Sequence, residues 1–364
     1  MHQAPLIRAI CELSPATTLT VVTDMAGSGT RTAQGWVTPD FGPAELRTTP
    51  DAAERHALLM SRSTHDDVHV FSGLRAYRGV WLTLNRAVRA QNRVAVYAEP
   101  GREDDGWRAI ARRLLYRSIA VRLGAKIELV LATGDTGCSF YRRVGFPSDR
   151  IRKFGYFTEH SLLAPTASEV DVAHRSSVQI AFVGASIRRK RLDLLLSALE
   201  QIQELDWRLS VIGTGPLLEE LKARAERLAC GRVAWLGSVA NHKVRGWLAT
   251  QDLLVLPSAF DGWGAVVNEA LAVGTPVVAS SACGASDLLV DDFVGEVFKV
   301  GNVQDLARIL RRRVQVGRVT QHDRNTRATW ASQTISASVG ARYFLSLLAG
   351  DREARPPWET RKHQ

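Results

Sequence analysis

Two acids stand out as residues able to do chemistry. Asp261 and Glu269 lie eight positions apart in Ser258-Ala-Phe-Asp-Gly-Trp-Gly-Ala-Val-Val-Asn-Glu-Ala-Leu-Ala-Val-Gly-Thr-Pro-Val-Val-Ala-Ser280. Asp261 falls in a loop just before a predicted helix, and Glu269 in the second turn of that helix. A helix N-terminus presents unpaired N–H groups and partial positive charge, so it suits a phosphate. A carboxylate one turn further in can accept hydrogen bonds from vicinal hydroxyls such as those of a ribose. The pair therefore suits a ligand that is both phosphate and sugar.

The elements that position these acids are legible. Leu253 to Leu256 is an apolar run stopped by Pro257, as expected of a buried parallel strand. Asp261-Gly-Trp-Gly264 is turn chemistry, with glycines at Gly262 and Gly264 that permit close backbone approach to a ligand. Ala265 to Val273 reads as a short helix closed by Gly274 and Pro276, and Val277 to Ala279 as the next strand. At the other end of the same half, Val178 to Gly184 and Leu209 to Pro216 are strands running into glycine turns at Gly184 and Gly213. Val233 to Gly237 is a further strand.

This block resembles the motif of the retaining nucleotide-sugar glycosyltransferases of the GT-B fold, in their large fourth sequence family (glycosyl transferases group 1). That motif is E-G-F/W-G-x-x-x-x-E-A-x-A-x-G-x-P-V, and here only its first Glu is changed, to Asp261. The resemblance is specific over about 178–312 and holds in outline before it. It implies two Rossmann-like α/β domains facing across a cleft, with the sequence divided as 1–165 (acceptor side), 166–340 (donor side) and 341–364 (a helix end and loose tail from Asp351).

The resemblance also assigns roles. Glu269 would bind ribose, Asp261 the hydroxyls of the transferred sugar, and Lys190 the diphosphate. Ala185 stands where the family has an Arg, so Arg189, beside Lys190, is expected to supply that charge. Gly184, Gly213, Gly237, Gly262, Trp263, Gly264 and Ala265 complete the expected donor side, with the nucleobase near Gly237 to Ala240. Asp261, Lys190 and Glu269 are the expected catalytic group. Gly27, in a glycine-bearing loop after Thr18 to Thr23, and Glu99, at the end of Val94 to Ala98, are placed on the acceptor side. Without a D-x-D motif, no divalent metal is expected, and no cofactor beyond the nucleotide-diphosphate sugar itself.

Composition narrows the partners. An apolar content of 45% with 23% charged residues fits a globular protein, and no run of eighteen apolar residues exists to span a bilayer. Four scattered cysteines fit reduced thiols in a cytoplasmic protein. The net charge of +10 is diffuse and accompanied by no nucleic-acid motif, so an anionic nucleotide or an anionic membrane surface is the expected partner, not DNA or RNA. Trp107 to Arg122 carries arginines and no acid, with Trp107, Ile110, Leu114 and Val121 on one helical face. It reads either as a packed crossover or as a helix resting on an anionic bilayer.

The expected activity is transfer of a hexose, with retention, to a glycan acceptor. A lipid-linked acceptor in bacterial exopolysaccharide, capsule or lipopolysaccharide synthesis fits the motif best. Such an enzyme would lie in the cytoplasm or on the inner face of its membrane. A nucleotide-sugar epimerase and a non-catalytic partner subunit are the alternatives, the latter suggested by Asp261 and Ala185.

Overall fold

The computed structural model describes residues 3–23, 39–48, 51–61, 66–75, 77–102, 106–159, 176–229 and 231–360. Gly27 and most of the expected linker lie outside these residues.

Two stacks of parallel strands, each wrapped by helices, make up the molecule. The first contains β1 (Thr20–Thr23), β2 (Glu45–Thr48), β3 (Val68–Ser72), β4 (Arg93–Ala98), β5 (Leu129–Thr133) and β6 (Ile151–Phe154). Strands β3 to β6 form one parallel sheet in sequence order. Strand β1 pairs with β2 in a separate two-stranded sheet instead of joining it. The helices here are α1 (Ala4–Leu13), α2 (Ala52–Ser61), α3 (Arg78–Arg89), α4 (Trp107–Leu123) and α5 (Gly134–Arg143).

The second stack contains β7 (Val178–Val183), β8 (Trp207–Ile212), β9 (Val233–Gly237), β10 (Leu253–Leu256), β11 (Val277–Ser280) and β12 (Gly295–Phe298). Their order is β12-β11-β10-β7-β8-β9, all parallel. The order reverses between β7 and β10. In such sheets a crevice opens there, beyond the carboxyl ends of the strands. The helices are α6 (Leu192–Glu200), α7 (Leu218–Ala229), α8 (Asn241–Leu248), α9 (Val266–Ala272), α10 (Val303–Val316) and α11 (Gln321–Thr334). Both faces of β10 are covered, which is why its four residues are all apolar and fully buried.

The chain then returns to the first body. Helix α12 (Ala337–Leu348) packs on α1, and α13 (Pro357–Thr360) follows. The expectation of a loose tail from Asp351 is corrected here: Trp358 is 1% exposed and packs on Trp263 and Phe157. An indole that finds an apolar pocket holds the polar segment around it in place. The outgoing and returning chains are hydrogen-bonded to each other, Thr158 N to Ile335 O at 3.0 Å and Ala337 N to Thr158 O at 2.8 Å.

Helix α4 turns its apolar side outward. Its buried residues are Ala109, Ile119, Ala120 and Leu123, while Trp107, Ile110, Leu114 and Val121 are exposed, Trp107 by 73% and Val121 by 81%. Arg108, Arg113, Arg117 and Arg122 are exposed with them. Ile119, Ala120 and Leu123 join the core of the first body, while the bulky residues on the other side face solvent.

Candidate functional site

Three strand ends gather the first part of the site. Gly184 N donates to Ile212 O at 2.9 Å and Gly213 N to Gly237 O at 2.8 Å, so the glycines that follow β7 and β8 and the one that ends β9 sit side by side. Gly213 has φ +136°, and a Cβ on it would strike the Gly184 carbonyl. Its glycine is thus demanded by the packing of these two turns. Gly237, at φ +64°, has open space where a side chain would be, which leaves room at the end of β9.

The cations arrive from the turn between β7 and α6. Lys190 Nζ lies 2.5 Å from Asp261 Oδ2, and Arg189 Nη1 lies 2.7 Å from the Phe260 carbonyl and 3.7 Å from Asp261 Oδ1. Arg188 is exposed and makes no such approach. Of the two arginines, Arg189 is the one that approaches Asp261 and its loop. The Asp261 backbone is fixed by the next turn, with its N–H donating to Ala282 O and its carbonyl accepting from Gly284 N, both at 3.0 Å. Gly264 has φ +97°, and a side chain there would meet Cys283 Sγ and Leu256, so only glycine fits between the acid and α9.

Glu269, on the first turn of α9, sits one helix away from Arg245 on α8. Burial pushes the Glu269 carboxyl up to about 7, although Arg245 opposes the rise. Burial likewise lowers the Arg245 guanidinium, and Glu269 raises it. Asp261 and Glu269 thus occupy different surroundings, one clamped by two cations and the other enclosed and only remotely compensated.

Trp263 requires a correction. Its side chain is fully buried, so it is not available to a ligand in the crevice. The indole N–H donates to Asn268 Oδ1 at 2.7 Å, and Asn268 Nδ2 donates to Tyr156 O at 2.8 Å. The aromatic residue of the motif fastens the loop to the segment joining the two bodies. Asn268 and Tyr156 went unnoticed in sequence because their partnership exists only across 112 positions of chain.

The first body reaches the site through β4 and β5. Glu99 presses on Gly262, so closely that a Cβ there would collide with its carboxylate. Tyr156 Oη donates to Glu99 Oε1 at 2.5 Å, and Tyr141 Oη to the Glu99 carbonyl at 2.9 Å. Thr133 Oγ1 donates to Gly262 O at 2.9 Å, and Asp135 N to Asp287 Oδ2 at 2.7 Å. Lys153 joins Asp135 and Glu359 at 2.6 and 2.5 Å. His69 is no part of this arrangement; its Nε2 faces Asn92 Nδ2 at 3.1 Å.

Among the described residues, contacts thus join Lys190 and Arg189 to Asp261 and Glu99 to Gly262, with Gly264, Ala265 and Glu269 following on the turn and helix α9. No group of three or more His, Cys, Asp or Glu residues is arranged there to hold a metal.

Known proteins share this architecture. Anabaena HepE, solved in complex with UDP, superposes with a TM-score of 0.70 over 95% of this chain and 96% of its own, at 18% identity. The fold is GT-B. Residues 169–327 match the family described as Glycosyl transferases group 1. An uncharacterized glycosyltransferase of Methanocaldococcus jannaschii is 28% identical over 125 residues, which is 34% of this chain and 35% of that protein. A sulfoquinovosyl transferase of Arabidopsis thaliana is 34% identical over 152 residues, 41% of this chain and 27% of its own. The matched stretch spans about a third of the length of these curated relatives. Residues 169–327, which the family model matches, cover the body built on β7 to β12.

Proposed function

We propose that this GT-B protein is a glycosyltransferase that moves a sugar, with retention, from a nucleotide diphosphate to a glycan acceptor. The observation that carries this reading is the convergence of Lys190 and Arg189 on Asp261, with Glu269 on the helix that follows. As the bond between sugar and phosphate breaks, charge grows on the departing diphosphate. Preorganised cations are worth most at that point. Lys190 and Arg189 then act on the diphosphate, Glu269 on ribose hydroxyls and Asp261 on the sugar. Glu99 and Tyr156 border the acceptor's approach. The departing phosphate takes the acceptor's proton on the face it leaves, consistent with retention in the family that the motif resembles. HepE's complex with UDP makes a uridine donor the first to test.

The acceptor in this reading is lipid-linked. Helix α4 offers exposed Trp107, Ile110, Leu114 and Val121 among arginines, with no acid. Its start lies by the loop that carries Glu99, since Gly101 is wedged between Phe140 and Arg112. A bilayer on α4 would bring a membrane-borne acceptor to the crevice. Each basic residue near an anionic surface contributes about 1 kcal/mol. Sedimentation with anionic vesicles should therefore fall on raising salt, and fall further when Arg108, Arg113 and Arg117 are changed to Gln. Equal sedimentation of both proteins at low salt would remove the membrane from this reading.

The activity itself is tested by thermal shift with a panel of nucleotide-diphosphate sugars. Product analysis by NMR on the best binder and a lipid-linked acceptor then follows. Binding followed by transfer with an unchanged anomeric configuration is expected. Donor turnover in the absence of any acceptor would point instead to an epimerase.

A further inference from the structure

Arg245 is a half-buried cation whose Nε and Nη2 are both enclosed and meet no hydrogen-bond acceptor. Its flanking residues explain its position: Val244 and Leu248 are buried and fasten α8 to the core, which turns Arg245 sideways toward the neighbouring α9. On α9 the nearest charge acting on it is Glu269, yet no ion pair joins the two. A guanidinium taken out of water without an acceptor is costly, and so is an enclosed carboxylate. Helices that hold both, without letting them meet, leave one side lined with donors and the other with acceptors. Gly237, with open space at its α-carbon, ends the strand that leads into α8.

We propose that Arg245, beside the Glu269 already assigned to the ribose, donates to a carbonyl oxygen of the donor's base. This rests on the reading of the crevice as a nucleotide-sugar site and adds to it a residue that selects the base. Arg245 has five N–H donors and no acceptor. It therefore favours a base with a ring carbonyl, as uracil and guanine have, over adenine, whose edge offers none. Adenine offers only ring-nitrogen acceptors, two of them beside a donating amino group, so the guanidinium fork is less fully paired against it.

Calorimetry with UDP, ADP and inorganic pyrophosphate tests the assignment on wild type, Arg245→Gln and Arg245→Lys. Wild type should bind UDP at least tenfold more tightly than ADP, and Arg245→Gln should bring that ratio close to one. Pyrophosphate affinity should be unchanged. The ratio is the decisive quantity: any indirect effect of the lost cation on Glu269 acts on the ribose, which both nucleotides share. Arg245→Lys keeps a charge without the planar fork and should give an intermediate ratio. It also serves as the readout if the Gln variant does not fold. A UDP-to-ADP ratio the same in variant and wild type, or no preference in wild type, overturns the inference alone. A loss of pyrophosphate binding equal to the loss of UDP binding makes Arg245 a diphosphate contact and overturns it as well. If wild type binds none of the three, the nucleotide-sugar reading falls, and this inference with it.

Discussion

Changing Glu269 to Gln should make the protein more stable and less able to bind its donor. Enclosure raises the carboxyl from its ordinary 4.5 to about 7, so the folded protein holds this proton more tightly than the unfolded chain. The stability associated with the proton is fully present below about 4.5 and is lost as pH rises through 7. Each unit of difference is about 1.4 kcal/mol, so by pH 8 the ionised carboxylate costs the fold about 3 kcal/mol. Gln carries no charge and avoids that cost. In a body of this size a kilocalorie moves the melting temperature by roughly 2–4 °C, so a gain of about 6–12 °C is expected at pH 8 and almost none at pH 4.5. Donor binding should move the other way, by roughly tenfold or more, because a hydrogen bond to a charged acceptor contributes about 1.5–3 kcal/mol. Wild-type affinity for UDP should also rise from pH 6 to pH 8, while that of Glu269→Gln stays flat. Denaturation at pH 4.5 and 8, with calorimetry across the same range, covers both halves. A variant that is less stable than wild type at pH 8, or that gains equally at both pH values, would refute the reasoning.

Other expectations concern the cations and the returning chain. Lys190→Ala should lower kcat and kcat/KM by similar factors, because charge on the diphosphate grows toward the transition state; steady-state kinetics that show a change in KM alone would make Lys190 a ground-state contact. Asp261→Asn should release Lys190 from its 2.5 Å contact, so that pyrophosphate binds more tightly in calorimetry while sugar transfer falls; unchanged pyrophosphate affinity would count against competition for that ammonium. Trp358→Ala removes a fully buried indole and should cost about 3–5 kcal/mol in chemical denaturation. A loss below 1 kcal/mol would mean that the end of the chain contributes little to holding the bodies together.

The block from Leu253 to Ser280 was readable because its structure is local. A strand, a turn and a helix follow one another within a few residues, and Gly264 and Gly274 both take left-handed backbone there, at φ +97° and +77°. Lys190 and Arg189 could be proposed from the motif, but their grip on Asp261 and Phe260 is made across 71 residues. Trp263 misled for a related reason. Loop position suggested a ligand contact, whereas tertiary packing buried the ring between Tyr156 and Trp358. In α4 the periodicity located an apolar face but could not say which way it turns, since helical spacing is the same toward a core or toward solvent. Arg245 gave no sequence signal, because its lack of partners is a property of the space around it.

The two chain crossings, tied to each other at Thr158, Ile335 and Ala337, make the body built on β7 to β12 an insertion within the other. Helices near both ends of the chain, α1 and α12, belong to the same body. A dye placed beside α1 and another beside α12 would therefore keep a fixed separation whatever the crevice does. Moving one of them to the exposed side of α10 would turn the same pair into a gauge of opening. The paired crossings also bias the motion toward bending about one line, since twisting would shear the bonds between them. A single glycine placed in one crossing should leave the axis in place, because the other still defines it.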